Sequence, residues 1–280
     1  MRKLLIVDGL NLYFQMFFGL PPRITNASGK AIQGSLGFVG ALIRIIKMTN
    51  PTHIVVLFDG QHANYRTELL PEYKANRPDY SQVPADENPF SQIDDVYASL
   101  SFMRIKHAEV AELEADDVIS SYVHTYGNKE EIVIASFDSD FFQLISENVR
   151  VLRYRGKHSV VCDLKYIIDR FCILPCQYVD FKSLTGDKSD NIKGPGNVGV
   201  KTASALINQF GSLRNIMDDA DKIKRPLIRE SIIKSLDRLQ NNYKLIKLDD
   251  RAALPFALDN LSYTYNGITV NEVLKGIGLR

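Results

Sequence analysis

Three apolar runs, far apart in the chain, constrain its fold more than any other feature. They read KLLIV (3–7), HIVVLF (53–58) and EIVIAS (131–136). Near-continuous apolar runs of this length are typical of strands buried on both faces of a parallel sheet. Segments with helical periodicity separate them, at about 35–48, 91–103 and 115–126. The alternation predicts an α/β fold, in which helices cover both faces of a parallel sheet.

The 280 residues are enough for one large domain or for one domain with an appendage. After about residue 164 the strand pattern fades and helical periodicity dominates. Residues 60–92 are polar, aromatic and basic, and they contain four prolines. Excursions of this length in compact domains are usually functional or disordered, and the Arg, Lys and Tyr content favours a functional segment.

The first residues have the basic tip and apolar stretch of a signal peptide, but polar residues interrupt the stretch at Asp8, Asn11 and Gln15. We interpret them as a first strand that turns into a helix. No apolar run is long enough to span a membrane. The cysteines are an odd number, which favours reduced thiols and the cytoplasm, and no zinc-site pattern surrounds them. They are Cys162, Cys172 and Cys176.

Each of the three apolar runs ends near an aspartate: Asp8, Asp59 or Asp138. Because sites in open parallel sheets form at the carboxyl ends of strands, we expect these side chains to lie near one another. The alternative is that each aspartate begins a turn or caps a helix.

Further acids follow in three motifs. ELEADD (112–117) places Glu114 and Asp117 on one helix face, although acids also favour helix N-termini for electrostatic reasons alone. SFDSD (136–140) contributes Asp138 and Asp140, and TGDKSDN (185–191) contributes Asp187 and Asp190. The candidate cluster is Asp8, Asp59, Glu114, Asp116, Asp117, Asp138, Asp140, Asp187 and Asp190.

A cluster of nine carboxylates requires counter-ions. Hard oxygen ligands suit Mg²⁺, with Mn²⁺ as a substitute. Two such ions, about 4 Å apart, clamp the attacking and leaving oxygens of a phosphodiester and lower the pKa of a bound water. The formal net charge is only +1, but without these nine acids the remainder carries +10. A nearly neutral chain can therefore have a basic surface around an acidic centre.

A glycine-rich turn beside the last two acids predicts a phosphate contact. GPGNVGVKTASALINQFGSL (194–213) reads as a turn followed by a helix. Glycines let backbone N–H groups approach an anion, and the helix N-terminus favours it. The turn would hold one phosphate of a nucleic-acid strand at a fixed distance from the metals.

On these motifs the chain resembles the 5′-nuclease family, which includes bacterial and phage 5′→3′ exonucleases, flap endonucleases and the N-terminal nuclease domain of bacterial DNA polymerase I. The matching motifs are LLIVDG (4–9), VVLFDG (55–60), LLPEYKANR (69–77), ELEADD (112–117), SFDSDFFQL (136–144), SLTGDKSDNIKG (183–194) and VGVKTA (198–203). The resemblance implies a PIN-like parallel-sheet nuclease core at 1–170, with a helical arch at about 60–92. It also implies a helical duplex-binding domain at 171–280, with a helix-three-turn-helix at about 184–212.

The resemblance also implies roles for individual residues. One metal would be surrounded by Asp8, Asp59, Glu114, Asp116 and Asp117, and the second by Asp138, Asp140, Asp187 and Asp190. Basic arch positions that act on the scissile phosphate correspond to Lys74 and Arg77, and Arg66 is implicated in DNA binding. The duplex contact corresponds to Asn197, Val198, Gly199, Val200, Lys201 and Thr202. Carbonyls of a K⁺ site correspond to Leu184, Thr185, Lys193, Pro195 and Val198.

One departure from the family lies in the turn. Where the family has Gly-Ile-Gly, this chain has Asn197-Val198-Gly199. Asparagine tolerates a left-handed φ better than most residues, so we expect the turn to be preserved.

We therefore expect a stand-alone, monomeric, cytoplasmic 5′→3′ exonuclease and flap endonuclease. It would cut DNA near single-strand/duplex junctions with two Mg²⁺ ions, leaving 5′-phosphate and 3′-hydroxyl ends. Its partners would be DNA with a 5′ flap or a free 5′ end, the duplex backbone and a DNA polymerase, and no membrane. The alternatives are an RNase of a related acidic-sheet type and a DNA-binding accessory protein that has lost activity.

Overall fold

A computed structural model of the protein describes residues 1–21, 24–60, 65–84, 87–110 and 113–280. A six-stranded sheet of order β3-β2-β1-β4-β5-β6 forms its centre. The strands are β1 (Lys3–Asp8), β2 (His53–Asp59), β3 (Lys106–Val110), β4 (Glu131–Ala135), β5 (Val149–Arg153) and β6 (Val160–Cys162). The first five are parallel, and β6 is antiparallel to β5. The predicted parallel sheet is confirmed.

The three apolar runs correspond to β1, β2 and β4, whereas β3, β5 and β6 are absent from the prediction. These three lie toward the edges of the sheet. A strand near an edge is partly exposed and tolerates charged side chains. Lys106 and Glu109 in β3, and Arg150 in β5, interrupt the apolar pattern on which the prediction depends.

Helices occupy most of the remaining described chain. They are α1 (Gly9–Gly19), α2 (Gln33–Thr49), α3 (Tyr65–Leu69), α4 (Ile93–Phe102), α5 (Ala115–Tyr126), α6 (Leu164–Phe171), α7 (Tyr178–Thr185), α8 (Val200–Phe210), α9 (Leu213–Asp218), α10 (Pro226–Ile233), α11 (Leu236–Ile246) and α12 (Val270–Gly276). The helices predicted from periodicity correspond to α2, α4 and α5.

Side-chain alternation in the central strand divides the core into two layers. Leu5 and Val7 of β1 pack with α1, α2 and α4. Leu4 and Ile6 face the other way, toward α5 and the C-terminal helices. Helices therefore cover both faces of the sheet, as the sequence predicts.

The carboxyl ends of β1, β2 and β4 meet at one edge. Asp8 pairs with Leu57, and Val7 pairs with both Val56 and Ala135. The strand order also reverses at β1, because β2 lies on one side of it and β4 on the other. Open α/β sheets bind ligands outside the carboxyl ends of strands at such a point.

The described part of the excursion at 60–92, the segment predicted to form an arch, contains little helix. Its residues 61–64 and 85–86 lie outside the described residues. The described part contains the five-residue α3, a series of turns and a short 3-10 helix at 89–92. Proline breaks the backbone hydrogen bonds of a helix interior, and four prolines divide this segment. The described part of the segment is therefore built mainly from turns, and its role as an arch stays a prediction.

Two further features complete the architecture. A two-stranded antiparallel ribbon, β7 (Gly186–Asp187) and β8 (Ile192–Lys193), leads from α7 toward the glycine turn. The last residues return to the sheet, where Tyr263 N donates to Thr52 O at 2.8 Å and Val273 of α12 is buried with α2 and α4. Within the described residues, no helix combines the length and apolar character that a membrane span requires.

Candidate active site

The three aspartates at the strand ends meet, as the sequence predicts. Asp8 Oδ1 accepts from Asn11 N at 3.2 Å and Asp8 Oδ2 from Ser136 Oγ at 2.8 Å. Ser136 Oγ in turn accepts from Asp138 N at 3.0 Å, so a serine after β4 connects two of the acids. Asp8, Asp59 and Asp138 line one cavity of about 470 Å³.

The N-terminus of α5 adds Asp116 to the same cavity. Asp59 Oδ1 accepts from Ala115 N at 2.6 Å, and so fixes the start of α5 against the end of β2. Asp8 likewise caps α1 through Asn11 N. Capping and convergence on one site, which the sequence presents as alternatives, therefore occur together.

Burial and mutual repulsion oppose ionisation of Asp8 and Asp116. Desolvation, and then the charge of Asp59, raise the pKa of Asp8 to about 7. Desolvation, followed by Asp138, Asp8 and Asp59, raises the pKa of Asp116 well above its ordinary value. Carboxylate oxygens are hard ligands, and a divalent cation among them would relieve this repulsion. The donor set of the first group (Asp8, Asp59, Asp116 and Asp138) therefore fits Mg²⁺ or Mn²⁺.

A second group (Asp140, Asp187 and Asp190) lies beyond Asp138. One oxygen of each carboxylate lies within 4.8 Å of the others. Asp138 Oδ1 accepts from Asp140 N at 2.8 Å, which joins the two groups. Desolvation raises the pKa of Asp140 to about 7, although the ammonium of Lys182 opposes the shift. This geometry also fits a divalent cation.

Sequence reasoning missed Lys182. This lysine is 5% exposed, and its Nζ contacts Asp140 Oδ1 and Asp187 Oδ2. It lies four residues after buried Tyr178, on the inner face of α7. A lysine on the apolar face of a helix, five residues before an acid of the cluster, is the signal that could have identified it.

Asp117 and Arg66 have an environment different from the one predicted. Asp117 is 0% exposed, and both of its oxygens bind the Arg66 guanidinium, at 2.7 and 2.8 Å. Arg66 is 1% exposed and also binds Glu114 and the carbonyl of Leu245. Its guanidinium faces inward and is held by buried carboxylates, and the role of Arg66 in DNA binding stays a prediction.

Lys74 and Arg77 lie at the rim of the site, between the two groups of acids. Lys74 Nζ is 2.7 Å from Glu114 Oε1, and its backbone N donates to Asp190 O at 3.2 Å. Lys74 also has a left-handed φ of 56°. Arg77 Nη2 is 3.3 Å from Asp190 Oδ1, and its side chain is 54% exposed. Both cations line the same cavity as the first group.

The glycine turn forms as predicted. Gly199 caps α8, and Asn197 has the expected left-handed φ, 63°. A Cβ at Gly194 would lie 2.4 Å from the Leu184 carbonyl, so only glycine fits there. Lys201 is exposed in the first turn of α8, whereas the Val198 side chain is buried and can contribute only its backbone.

The potassium prediction places five carbonyls around this turn. Among them, Lys193 O already accepts from Asn242 Nδ2 at 3.0 Å. Asn242 Nδ2 also donates to Ser183 O at 3.0 Å, and so ties α7 to β8. The Lys193 carbonyl would therefore have to serve a cation with its remaining lone pair.

Two family models match the chain. The model of the 5′-3′ exonuclease, N-terminal resolvase-like domain, matches residues 3–171. The model of the 5′-3′ exonuclease, C-terminal SAM fold, matches residues 173–267.

Among curated proteins, DNA polymerase I of Streptococcus pneumoniae is 31% identical over 270 residues, which is 94% of this chain and 30% of the relative. The thermostable DNA polymerase I of Thermus thermophilus is 32% identical over 260 residues, which is 92% of this chain and 30% of the relative. The chain thus spans about 30% of the length of these relatives.

Solved structures show the same fold. The T5 5′-exonuclease with bound zinc has a TM-score of 0.73 at 25% identity, covering 88% of this chain and 89% of that one. The bacteriophage T5 flap endonuclease in a complex with DNA and metal ions gives the same values. The catalytic core of Rad2 with a DNA substrate has a TM-score of 0.58 at 16% identity, covering 99% of this chain and 92% of that one, which supports the fold alone.

Proposed function

The chain belongs to the 5′-3′ exonuclease family, and we propose that it is a metal-dependent nuclease that hydrolyses DNA phosphodiesters near single-strand/duplex junctions. One observation carries this proposal. Acids from β1, β2, α5 and the segment after β4 converge on one cavity, and two cations line the same cavity. The products would be 5′-phosphate and 3′-hydroxyl ends.

Two divalent ions would supply activation of the attacking water and stabilisation of charge on the phosphate. Asp8, Asp59 and Asp116 of the first group would hold one ion, and Asp140, Asp187 and Asp190 would hold the other. Asp138, the remaining member of the first group, would lie between the two ions, because it also accepts a hydrogen bond from Asp140 N. Glu114 and Asp117, also predicted as ligands, form ion pairs with Lys74 and Arg66, and we propose that they support the metal centre through these cations.

The cations of this chain would bind and orient the scissile phosphate. Lys74 contacts Glu114, and Arg77 contacts Asp190, so each is already held at the metal centre. When a phosphate enters the cavity, its oxygens would replace the carboxylates as the partners of Lys74 and Arg77. Preorganised donors of this kind stabilise charge that develops in the transition state.

The duplex would be bound by the turn at 197–202. The backbone N–H groups at the start of α8 and the exposed Lys201 favour a phosphate there. Such contacts position a duplex without reading its sequence. The T5 flap endonuclease, of similar fold, has been solved with DNA. We also propose that the backbone carbonyls of residues 184, 185, 193, 195 and 198, beside this turn, bind a K⁺ ion.

The relatives named DNA polymerase I suggest a partner class. In these relatives the matching region is part of a polymerase, and we propose that cleavage by this chain is coordinated with a DNA polymerase. We also propose that the protein is cytoplasmic and monomeric.

The deciding experiment uses a labelled 5′-flap DNA with the purified protein, with Mg²⁺ or with EDTA. We expect cleavage near the junction in Mg²⁺ and no cleavage in EDTA. Cleavage only of an otherwise identical substrate with an RNA 5′ strand would indicate the RNase alternative. Binding of the flap without cleavage in Mg²⁺ or Mn²⁺ would indicate the inactive accessory protein.

A further inference from the structure

A buried lysine lies inside the second group of acids. Lys182 Nζ contacts one oxygen of Asp140 and one of Asp187, and each of the three side chains is 10% exposed or less. Asp190 completes the same group. Lysine is almost never buried unless it is paired, so these contacts hold the ammonium in place.

The first group differs in the partners of its carboxylates. Asp8 accepts from the hydroxyl of Ser136 and the amide of Asn11, and Asp59 accepts from the amide of Ala115. These hydrogen-bond donors carry no charge. In the second group a full positive charge contacts two of the three acids. The two groups therefore present different electrostatic environments to a divalent ion.

We propose that Lys182 is a built-in counter-ion that competes with a divalent cation for Asp140 and Asp187 and so lowers the affinity of the second group for metal. The inference rests on the proposed metal centre. The ammonium occupies Asp187 Oδ2, and Asp187 Oδ1 accepts from Ser189 N at 2.7 Å, so an ion that binds Asp187 must displace the ammonium or that hydrogen bond. The Lys182 ammonium and a divalent ion bound to the same carboxylates would also repel each other strongly in a buried site. Lys182 thus acts as a positioning residue that sets how readily the second ion binds.

The test is Lys182→Met, which keeps the length of the side chain and removes its charge. Mn²⁺ binding is measured without DNA, by calorimetry and by electron paramagnetic resonance. We expect the affinity of the second group to rise on the order of tenfold or more, because a competing charge close to the ion has been removed. A loss of structure would weaken metal binding, so a gain cannot result from misfolding.

Two variants assign the gain. Lys188→Met removes an exposed lysine one residue after Asp187 and should leave the Mn²⁺ isotherm unchanged. Asp187→Asn combined with Lys182→Met should abolish the gain, because it removes a ligand of the same group. Equal or weaker Mn²⁺ binding by folded Lys182→Met would overturn the inference.

A second measurement uses the unaltered protein, in case Lys182→Met does not fold. Reductive methylation followed by mass spectrometry reports the accessibility of Lys182 in EDTA and in saturating Mg²⁺. We expect protection in EDTA and faster modification in Mg²⁺, with Lys188 equally reactive in both. Unchanged protection of Lys182 would overturn the inference. A parent protein that binds no Mn²⁺ would instead refute the proposed metal centre.

Discussion

Single side chains in this centre serve several partners at once. Asp8 caps α1, binds Ser136 and lines the cavity of the first group. Asp190 contacts Arg77 through its carboxylate and Lys74 through its backbone carbonyl. A substitution at such a residue therefore affects both the chemistry and the local structure. Activity and stability must both be measured for every variant.

Asp190→Ala should abolish or greatly slow cleavage of flap DNA, while the DNA still binds. The residue would serve the second ion, and its removal also leaves Arg77 free to contact phosphate. Turnover is compared with binding measured in Ca²⁺, and Asp237→Ala, an exposed acid on α11, is the control. Unchanged turnover of Asp190→Ala would remove this residue from the site.

Lys74→Ala should lower kcat by a factor on the order of 10² or more, as expected for loss of a preorganised donor to transition-state charge. Affinity for DNA should change little, since one cation is a small part of the phosphate contact. Steady-state kinetics separate the two effects. Normal kcat with weaker binding would show that Lys74 acts as an ordinary surface cation.

At the level of elements, α3 is joined to α5 through a buried ion pair. Arg66 of α3 binds Asp117 of α5, and Asp117 Oδ1 also accepts from Asp249 N at 2.8 Å. The pair thus links the excursion, a helix of the core and the segment after α11. Removal of one partner leaves an uncompensated charge in the interior.

Arg66→Ala should lower the free energy of unfolding by about 3–5 kcal/mol, because Asp117 would remain buried without its partner. Urea unfolding followed by circular dichroism measures the change, and Arg214→Ala, at a side chain that is 88% exposed, is the control. Unchanged stability with weaker DNA binding would instead indicate that Arg66 is a DNA contact.

The glycine turn and α8 act as a second unit. Lys201→Ala should weaken DNA binding about equally for unrelated sequences and should reduce the slope of log K against log salt by about one, because one phosphate contact is lost. Cleavage should persist in Mg²⁺, with a less sharply defined cut position. Lys129→Ala removes an exposed cation after α5 and is the control. A slope and a product ladder identical to those of the parent would contradict the proposed duplex contact.

At the scale of the whole molecule, we expect stability and the proposed metal binding to be coupled through the acids. The pKa values of Asp8 and Asp140 are raised from 3.8 to about 7 in the folded protein. The folded state therefore binds protons that the unfolded state releases. Their contribution to stability is fully present below about pH 4 and is lost as the pH rises through 7.

Mg²⁺ should therefore raise the unfolding temperature more at pH 8 than at pH 6, because at the lower pH the ions compete with protons for the same oxygens. Thermal unfolding in Mg²⁺ and in EDTA at the two pH values measures the difference. The Asp8→Asn variant should show a smaller pH dependence of this gain. An equal gain at both pH values would show that these carboxyls are already ionised in the metal-free protein.

The sequence by itself determined the features that depend on local patterns. Continuous apolar runs are characteristic of buried strands, so β1, β2 and β4 and the aspartates at their ends could be predicted from residues close in the chain. The left-handed Asn197 and the start of α8 likewise follow from the local chemistry of a turn.

Only the tertiary structure decided which of these groups touch. The contact of Lys182 with Asp140 spans 42 residues, and the pairing of Arg66 with Asp117 spans 51. The return of the C-terminal segment joins Tyr263 to Thr52. Local propensity carries no information about contacts at such separations, because they form only when packed elements bring distant residues together. The same reason explains the missed strands β3, β5 and β6, whose exposed charges are acceptable only toward the edges of a completed sheet.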